Sequence, residues 1–247
     1  MRCLILIPTY NESASIVRLL SRLDAVRTVL IQPGTQLQDV QVLVLDDCSP
    51  DGTADIVDAL SKDWVRVVRR PKKSGLGPAY IAGFREGIAQ GFELLVEMDA
   101  DLSHQPEALP ALLEPVLSNE ADLTIGTRWM PGGKVVNWPI TRQWISRVGT
   151  GYARIALGLN LRDVTSGYRV FRSDVIESID LNRIESRGYG FQIEMVLRTI
   201  ESQFRVVEVP ITFVERDGGV SKMSKKIVLE ALWKVTVWGF IRLMNRR

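Results

Sequence analysis

Short apolar runs, each followed by a helical pattern and several ending in acidic residues, most constrain what this chain can fold into. Residues 2–7, 40–45, 65–69 and 92–96 read as strands, and 13–26, 54–60 and 79–90 read as helices. The first helix places Ile16, Val17, Leu19, Leu20 and Leu23 on one face. Turns rich in Gly, Pro, Ser and Asp separate these elements, such as Ser49-Pro50-Asp51-Gly52-Thr53 and Ser74-Gly75-Leu76-Gly77-Pro78. A further short strand is expected at 123–126. Strands alternating with helices call for a mixed, mostly parallel α/β sheet flanked by helices.

Two of the strands end in acidic pairs. Asp46-Asp47 closes one run, and Glu97-Met98-Asp99-Ala100-Asp101 follows another. Open α/β sheets bind their ligands at the carboxyl ends of the strands. Alternate residues share a face there, so Asp99 and Asp101 can converge on one hard cation. Asp47 suits hydrogen bonds to a base or ribose hydroxyl. Tyr10 offers a ring for stacking and Glu12 an acceptor, although Asn11-Glu12 reads equally as a helix start. The Ser49 to Thr53 stretch likewise reads as a turn and helix N-cap without any ligand.

Several chemistries are excluded by what the chain lacks. Pro8-Thr9-Tyr10-Asn11-Glu12 stands where a dinucleotide enzyme needs glycines, and no Gly-Lys-Ser/Thr phosphate loop is present. His104 is the one histidine and Cys3 and Cys48 the only cysteines, so a zinc cage is disfavoured and Mg2+ or Mn2+ fits better. The two cysteines also argue against a disulfide framework and for a reducing compartment. A net charge of +2 gives no argument for nucleic acid. Length and composition, 247 residues with 46% hydrophobic and 24% charged, suit one globular domain with appendages. Neither a secretory signal nor a run of ~18 uncharged apolar residues is visible.

The second half changes character. Ile140, Trp144, Ile145, Val148, Tyr152, Ile155, Ala156 and Leu159 recur at helical spacing, opposite Arg142, Gln143, Ser146, Arg147 and Arg154. This is a basic-faced amphipathic helix with aromatic residues, suited either to a membrane interface or to packing on the sheet. Residues 206–214 read as one strand and 225–244 as a long helix. Arg128, Arg216 and the glycine-rich stretch ending at Ser221-Lys222 are candidate phosphate ligands, against the default of solvated surface charge.

Taken together, Pro8-Thr9-Tyr10-Asn11-Glu12, Asp46-Asp47 with its turn, Asp99-Ala100-Asp101-Leu102-Ser103-His104 and Gly126-Thr127-Arg128 resemble the inverting family-2 glycosyltransferases of GT-A (Rossmann-like) fold. More narrowly they are similar to the dolichol-phosphate (polyprenol-phosphate) mannose synthases. Asp163 to Arg169, Gly188 to Met195, Val209 to Phe213 and the stretch from Arg216 to Lys222 extend the likeness almost end to end.

The resemblance implies a GT-A domain over 1–225 and a C-terminal amphipathic helix over 226–247. It implies GDP-mannose as donor and a polyprenyl phosphate as acceptor. Pro8, Tyr10, Glu12, Leu45 and Asp47 would hold the guanosine. Asp99, Ala100 and Asp101 would hold metal and diphosphate, and Arg128, Arg216 and Lys222 would complete the donor pocket. Arg128, Arg142 and Ser146 would receive the acceptor phosphate, with Asp101 and Arg128 central to catalysis. Ser103 stands where some relatives place a third metal ligand, and Cys48 replaces a common Gly, a change expected to be harmless in a turn. The expected site of action is the cytosolic face of a membrane, bound peripherally, with an integral-membrane partner substituting for a span. Rival readings are a UDP-glucose-dependent glucosyltransferase and an inactive scaffold of the same fold.

Overall fold

Residues along Arg2–Thr9 (β1) bury alternate side chains on opposite faces of one sheet, as an interior strand does. Leu4 and Leu6 join one core layer, while Cys3, Ile5 and Ile7 join the other. The computed structural model describes residues 1–184, 186, 188–215 and 225–245. In chain order β1 is followed by α1 (Ile16–Leu30), β2 (Asp39–Asp46), α2 (Thr53–Ala59), β3 (Val65–Arg69), α3 (Leu76–Ala89) and β4 (Leu94–Glu97). Then come α4 (Leu109–Leu117), β5 (Leu123–Thr127), β6 (Lys134–Val136), α5 (Ile140–Leu157), β7 (Arg169–Arg172) and α6 (Ser173–Ser178). The chain continues through α7 (Tyr189–Glu201), β8 (Val206–Pro210), β9 (Thr212–Val214) and α8 (Lys225–Asn245).

The main sheet has seven strands in the order β3-β2-β1-β4-β7-β5-β8. Six run parallel and β7 alone is reversed, inserted between β4 and β5. One face carries α1, α2 and α4 and the other α3, α6 and α7, so both faces of the sheet are covered. Helix α3 lies very close to the sheet. A Cβ at Gly83 would come within 2.8 Å of Leu45 and 2.9 Å of Leu6, and one at Gly87 within 2.4 Å of Leu95.

The expected single strand over 206–214 is two strands. Val206–Pro210 extends the main sheet, whereas Thr212–Val214 pairs with β6 in a separate two-stranded sheet. The switch falls at Pro210-Ile211, where proline removes a ladder donor and the buried Ile211 side chain packs near Gly126. Helix α5 departs from the usual logic of amphipathic helices. It buries Thr150, Ala153 and Leu157, and its broad apolar stripe faces outward: Ile140, Trp144, Val148 and Ile155 are 72%, 66%, 63% and 86% exposed. Helix α8 packs on α5 and α7 and likewise exposes Leu229, Trp233, Phe240, Leu243 and Met244. No helix among the described residues is long and apolar enough to cross a membrane.

Candidate active site

The parallel strands bring their carboxyl ends to one edge, which gathers residues distant in sequence. Pro8 pairs with Leu45 in the β1–β2 ladder, and the Asp47 amide donates to the Thr9 carbonyl at 3.0 Å. On the other side of β1, the Met98 amide donates to Leu6 at 3.1 Å, which sets Asp99 to Asp101 beside the same opening. The three loops leaving β1, β2 and β4 each hold a left-handed residue: Asn11, Cys48 and Leu102, with φ of 59°, 60° and 63°. Asn tolerates this region, but Cys and Leu pay about 1–2 kcal/mol for it. Cys48 is therefore not the strain-free replacement expected of a turn. Clustered strain of this kind gathers at ligand sites.

Asp47 is buried and heavily bonded. Arg70 donates to its Oδ1 at 2.5 Å, and the Ser74 and Gly75 amides donate to Oδ2 at 2.8 Å each. It thus fixes the glycine turn that opens α3. Next to it, the Lys73 ammonium lies 3.7 Å from the centre of the Tyr10 ring. Glu12 accepts from Ser15 Oγ at 3.3 Å, and its amide donates to Thr53 Oγ1. Asp51 ties the two loops together, accepting from the Ser13 amide and from the amide and hydroxyl of Thr53. Partial burial pushes its carboxyl up, but these hydrogen bonds outweigh that and bring it down to about 2.

Around the second acidic pair, Ser103 donates its hydroxyl and its amide to Asp101 Oδ1. The Asp99 amide donates to His104 Nδ1 at 3.0 Å, which assigns the imidazole proton to Nε2, 3.7 Å from the Asp99 carboxylate. Burial holds the His104 imidazole neutral, down to about 4, and its ring stacks on Tyr168 and meets Phe213 edge-on. The described residues hold no group of three or more His, Cys, Asp and Glu able to enclose a metal. Two carboxylates with an adjacent hydroxyl are oxygen donors of the kind a hard divalent cation takes. This donor set suits Mg2+ or Mn2+ and not zinc.

Arg128 follows β5 and is almost fully buried. Its Nε and Nη2 donate to the two oxygens of Asp163 at 2.6 and 2.8 Å, and Nη2 also donates to Thr165 at 3.0 Å. Trp129, Trp138 and Phe213 surround the guanidinium, with ring centres 5.3–5.6 Å away. The loop that carries Asp163 and Thr165 is pinned by Arg169, whose guanidinium donates to the carbonyls of Val164, Ser166 and Gln192. Glu208 supports it further through the amides of Arg162 and Asp163. Asp163 lay within a motif singled out from the sequence, but nothing local assigned it to Arg128, 35 residues away.

Arg142 and Ser146, one turn apart on α5, face a groove between α5, α7 and α8 that encloses about 640 Å³ including its open mouth. Arg128, Trp138 and Thr165 also line it, together with Tyr152, Ile193, Leu232 and Val235. The Arg142 guanidinium lies 4.2 Å from the centre of the Trp138 ring and donates to both oxygens of Glu215. Helices α5 and α8 are joined by the Tyr152 and Thr236 hydroxyls at 2.6 Å and by close approach of Gly239 to Ala156. Pro8, Tyr10, Glu12, Leu45, Asp47, Asp99, Ala100, Asp101 and Ser103 thus line one edge of the sheet, and Arg128, Arg142 and Ser146 meet at the groove. Arg216 and Lys222 lie outside the described residues.

The profile described as Glycosyl transferase family 2 matches residues 4–180. An undecaprenyl-phosphate mannosyltransferase of Micrococcus luteus is 55% identical over 242 residues, 97% of this chain and 94% of that protein. A polyprenol monophosphomannose synthase of Mycolicibacterium smegmatis is 46% identical over 248 residues, 99% of this chain and 89% of that protein. A solved structure of glucosyl-3-phosphoglycerate synthase from Mycobacterium tuberculosis, with Mn2+, UDP-glucose and phosphoglyceric acid, superposes with a TM-score of 0.71. It covers 97% of this chain and 80% of that one at 18% identity, a likeness of fold. The profile match takes in both acidic strand ends and the relatives align over nearly their whole length, so the chain belongs to glycosyl transferase family 2.

Proposed function

We propose that the protein transfers mannose from GDP-mannose to a polyprenyl (dolichyl-type) phosphate, inverting the anomeric centre with a divalent cation at Asp99 and Asp101. The observation that carries this reading is the mixed lining of the groove. Arg128 and Arg142 line it together with Ile145, Tyr152, Leu232 and Val235, of which the first three are also exposed. An acceptor with an anionic head and a hydrocarbon tail matches that pairing of cations with apolar wall, and a soluble sugar does not. The printed activities of the Micrococcus and Mycolicibacterium relatives support the same acceptor class.

In this reading Tyr10, Glu12 and Asp47, with Pro8 and Leu45 beneath, hold the guanosine, and Lys73 covers the base from the Tyr10 side. Asp99 and Asp101 carry the cation beside Ala100. Ser103, with its proton turned to Asp101, keeps oxygen lone pairs free for the same ion. Bound there, Mg2+ or Mn2+ supplies Lewis-acid neutralisation of the departing diphosphate. Arg128, Arg142 and Ser146 orient the acceptor phosphate. A phosphate monoester has a second pKa of about 6, so it is largely dianionic at neutral pH and attacks without a general base. Positioning and charge stabilisation then carry the catalysis. Arg216 and Lys222 complete the donor pocket by motif position.

The outward apolar faces of α5 and α8 rest on the cytosolic face of a membrane, where Trp144, Trp233 and nearby Arg147 and Arg154 suit the interface. The reading is tested by transfer of labelled sugar from GDP-mannose to undecaprenyl phosphate, with UDP-glucose as the competing donor. A lipid-linked product from UDP-glucose alone would overturn the mannose assignment.

A further inference from the structure

Two arginines border the groove, and they are held very differently. The partner of Arg128 is fully buried and grips it through two nitrogens, so that pair is part of the fold. The Arg142–Glu215 pair is about one quarter exposed on both sides, and a single nitrogen, Nη1, reaches both carboxylate oxygens at 2.6 and 2.5 Å. Arg142 Nε is buried and has no hydrogen-bond partner among the described residues. Glu215 is fixed in place by its backbone, since its amide donates to the Val136 carbonyl at 3.0 Å at the end of the β6–β9 ladder. Its carboxylate is therefore presented to Arg142 by the strand pairing.

We propose that Glu215 is a selectivity residue. Its carboxylate occupies Arg142 against phosphodiesters and yields it to a phosphate monoester. This rests on the proposed reading that Arg142 receives the acceptor phosphate. A phosphodiester brings one negative charge, so replacing Glu215 exchanges like for like and gains nothing for the desolvation it costs. A monoester brings a charge of about −1.5 to −2 and three acceptor oxygens. Its extra charge and acceptor oxygens let it neutralise Arg142 more fully than the carboxylate does. The problem is a real one for a groove between two helices that also carry exposed apolar side chains, because a lipid surface carries phosphodiester headgroups.

The test uses the full chain with citronellyl phosphate as a short monoester acceptor and dioctanoyl phosphatidylglycerol as the diester competitor. Transfer by the wild-type protein should resist the diester. Glu215→Gln, which keeps an acceptor for Arg142 but removes the charge, should be inhibited at about three- to fivefold lower diester concentration. Its KM for citronellyl phosphate should fall by a similar factor. Glu215→Ala should shift both quantities in the same direction, with thermal unfolding reporting that the fold is kept. Unchanged inhibition and KM in both variants, or a raised KM, overturns the proposal. Calorimetric binding of citronellyl phosphate to Arg142→Ala separates the two layers. Lost binding there with no effect of Glu215→Gln removes the selectivity role alone, and undiminished binding removes the acceptor reading itself.

Discussion

Arg128 and Asp163 form a two-pronged ion pair closed off from solvent, with Nε and Nη2 set 2.6 and 2.8 Å from the two carboxylate oxygens. With two nitrogens committed and three aromatic rings around it, the guanidinium has one fixed direction in which to meet a ligand. Asp163→Asn leaves that cation buried without its counter-charge. Unfolding in urea should show a loss of about 3–5 kcal/mol, together with loss of transfer. A loss below about 1 kcal/mol would mean that the aromatic cage alone holds Arg128.

Gly239 marks where α8 touches α5. A Cβ there would sit 2.6 Å from the Ala156 carbonyl oxygen, a contact with backbone that no rotamer relieves. Gly239→Leu should push α8 away and open the groove. Transfer to undecaprenyl phosphate should fall at least tenfold, with a smaller loss on citronellyl phosphate, which needs less of the apolar wall. Equal losses on the two acceptors would show that α8 does not contact the long chain.

The outward face of α5 contributes nothing to the core, so charging it should leave folding intact. Trp144→Glu combined with Ile155→Glu alters two side chains that are 66% and 86% exposed. Thermal unfolding should move by no more than a degree or two, while co-sedimentation with anionic vesicles should drop several-fold. Undiminished sedimentation would place the membrane contact elsewhere.

Asp51 supplies a pH test of the loops that follow β1 and β2. Its carboxyl is depressed to about 2, so ionised Asp51 stabilises the folded state. That contribution is present above about 3.8, the ordinary value, and is lost as pH falls toward 2. Asp51→Asn should flatten the acid limb of the stability profile between pH 4 and 2 and leave neutral pH behaviour less affected. An acid limb identical to wild type would contradict the assignment.

Much of this site was legible because strand ends, acidic pairs and turns are local signals. The first four strands and the gathering of Tyr10, Asp47, Asp99 and Asp101 at one edge follow from parallel βα units. What the sequence did not contain was orientation. Four residues, Arg169–Arg172, carry no mark of running opposite to their neighbours β4 and β5. The apolar stripe of α5 was plain at helical spacing, but the helix docks through Thr150, Ala153 and Leu157, so the stripe points away from the sheet. Ion-pair partners were invisible for the same reason: Asp163 and Glu215 lie 35 and 73 residues from their arginines. The division of 206–214 turned on Pro210, a signal present but outweighed by the run of β-branched residues around it.

The central claim is metal-assisted mannosyl transfer to a polyprenyl phosphate at the Asp99–Asp101 edge. Its most direct test is formation of labelled polyprenyl-phosphate mannose from GDP-mannose and undecaprenyl phosphate, with Mg2+ or with chelator, by wild type and Asp101→Ala. The account predicts product from wild type with Mg2+, and at least a hundredfold less with chelator or with Asp101→Ala, whose fold should be unchanged. Undiminished product from Asp101→Ala, or from wild type under chelation, would contradict it.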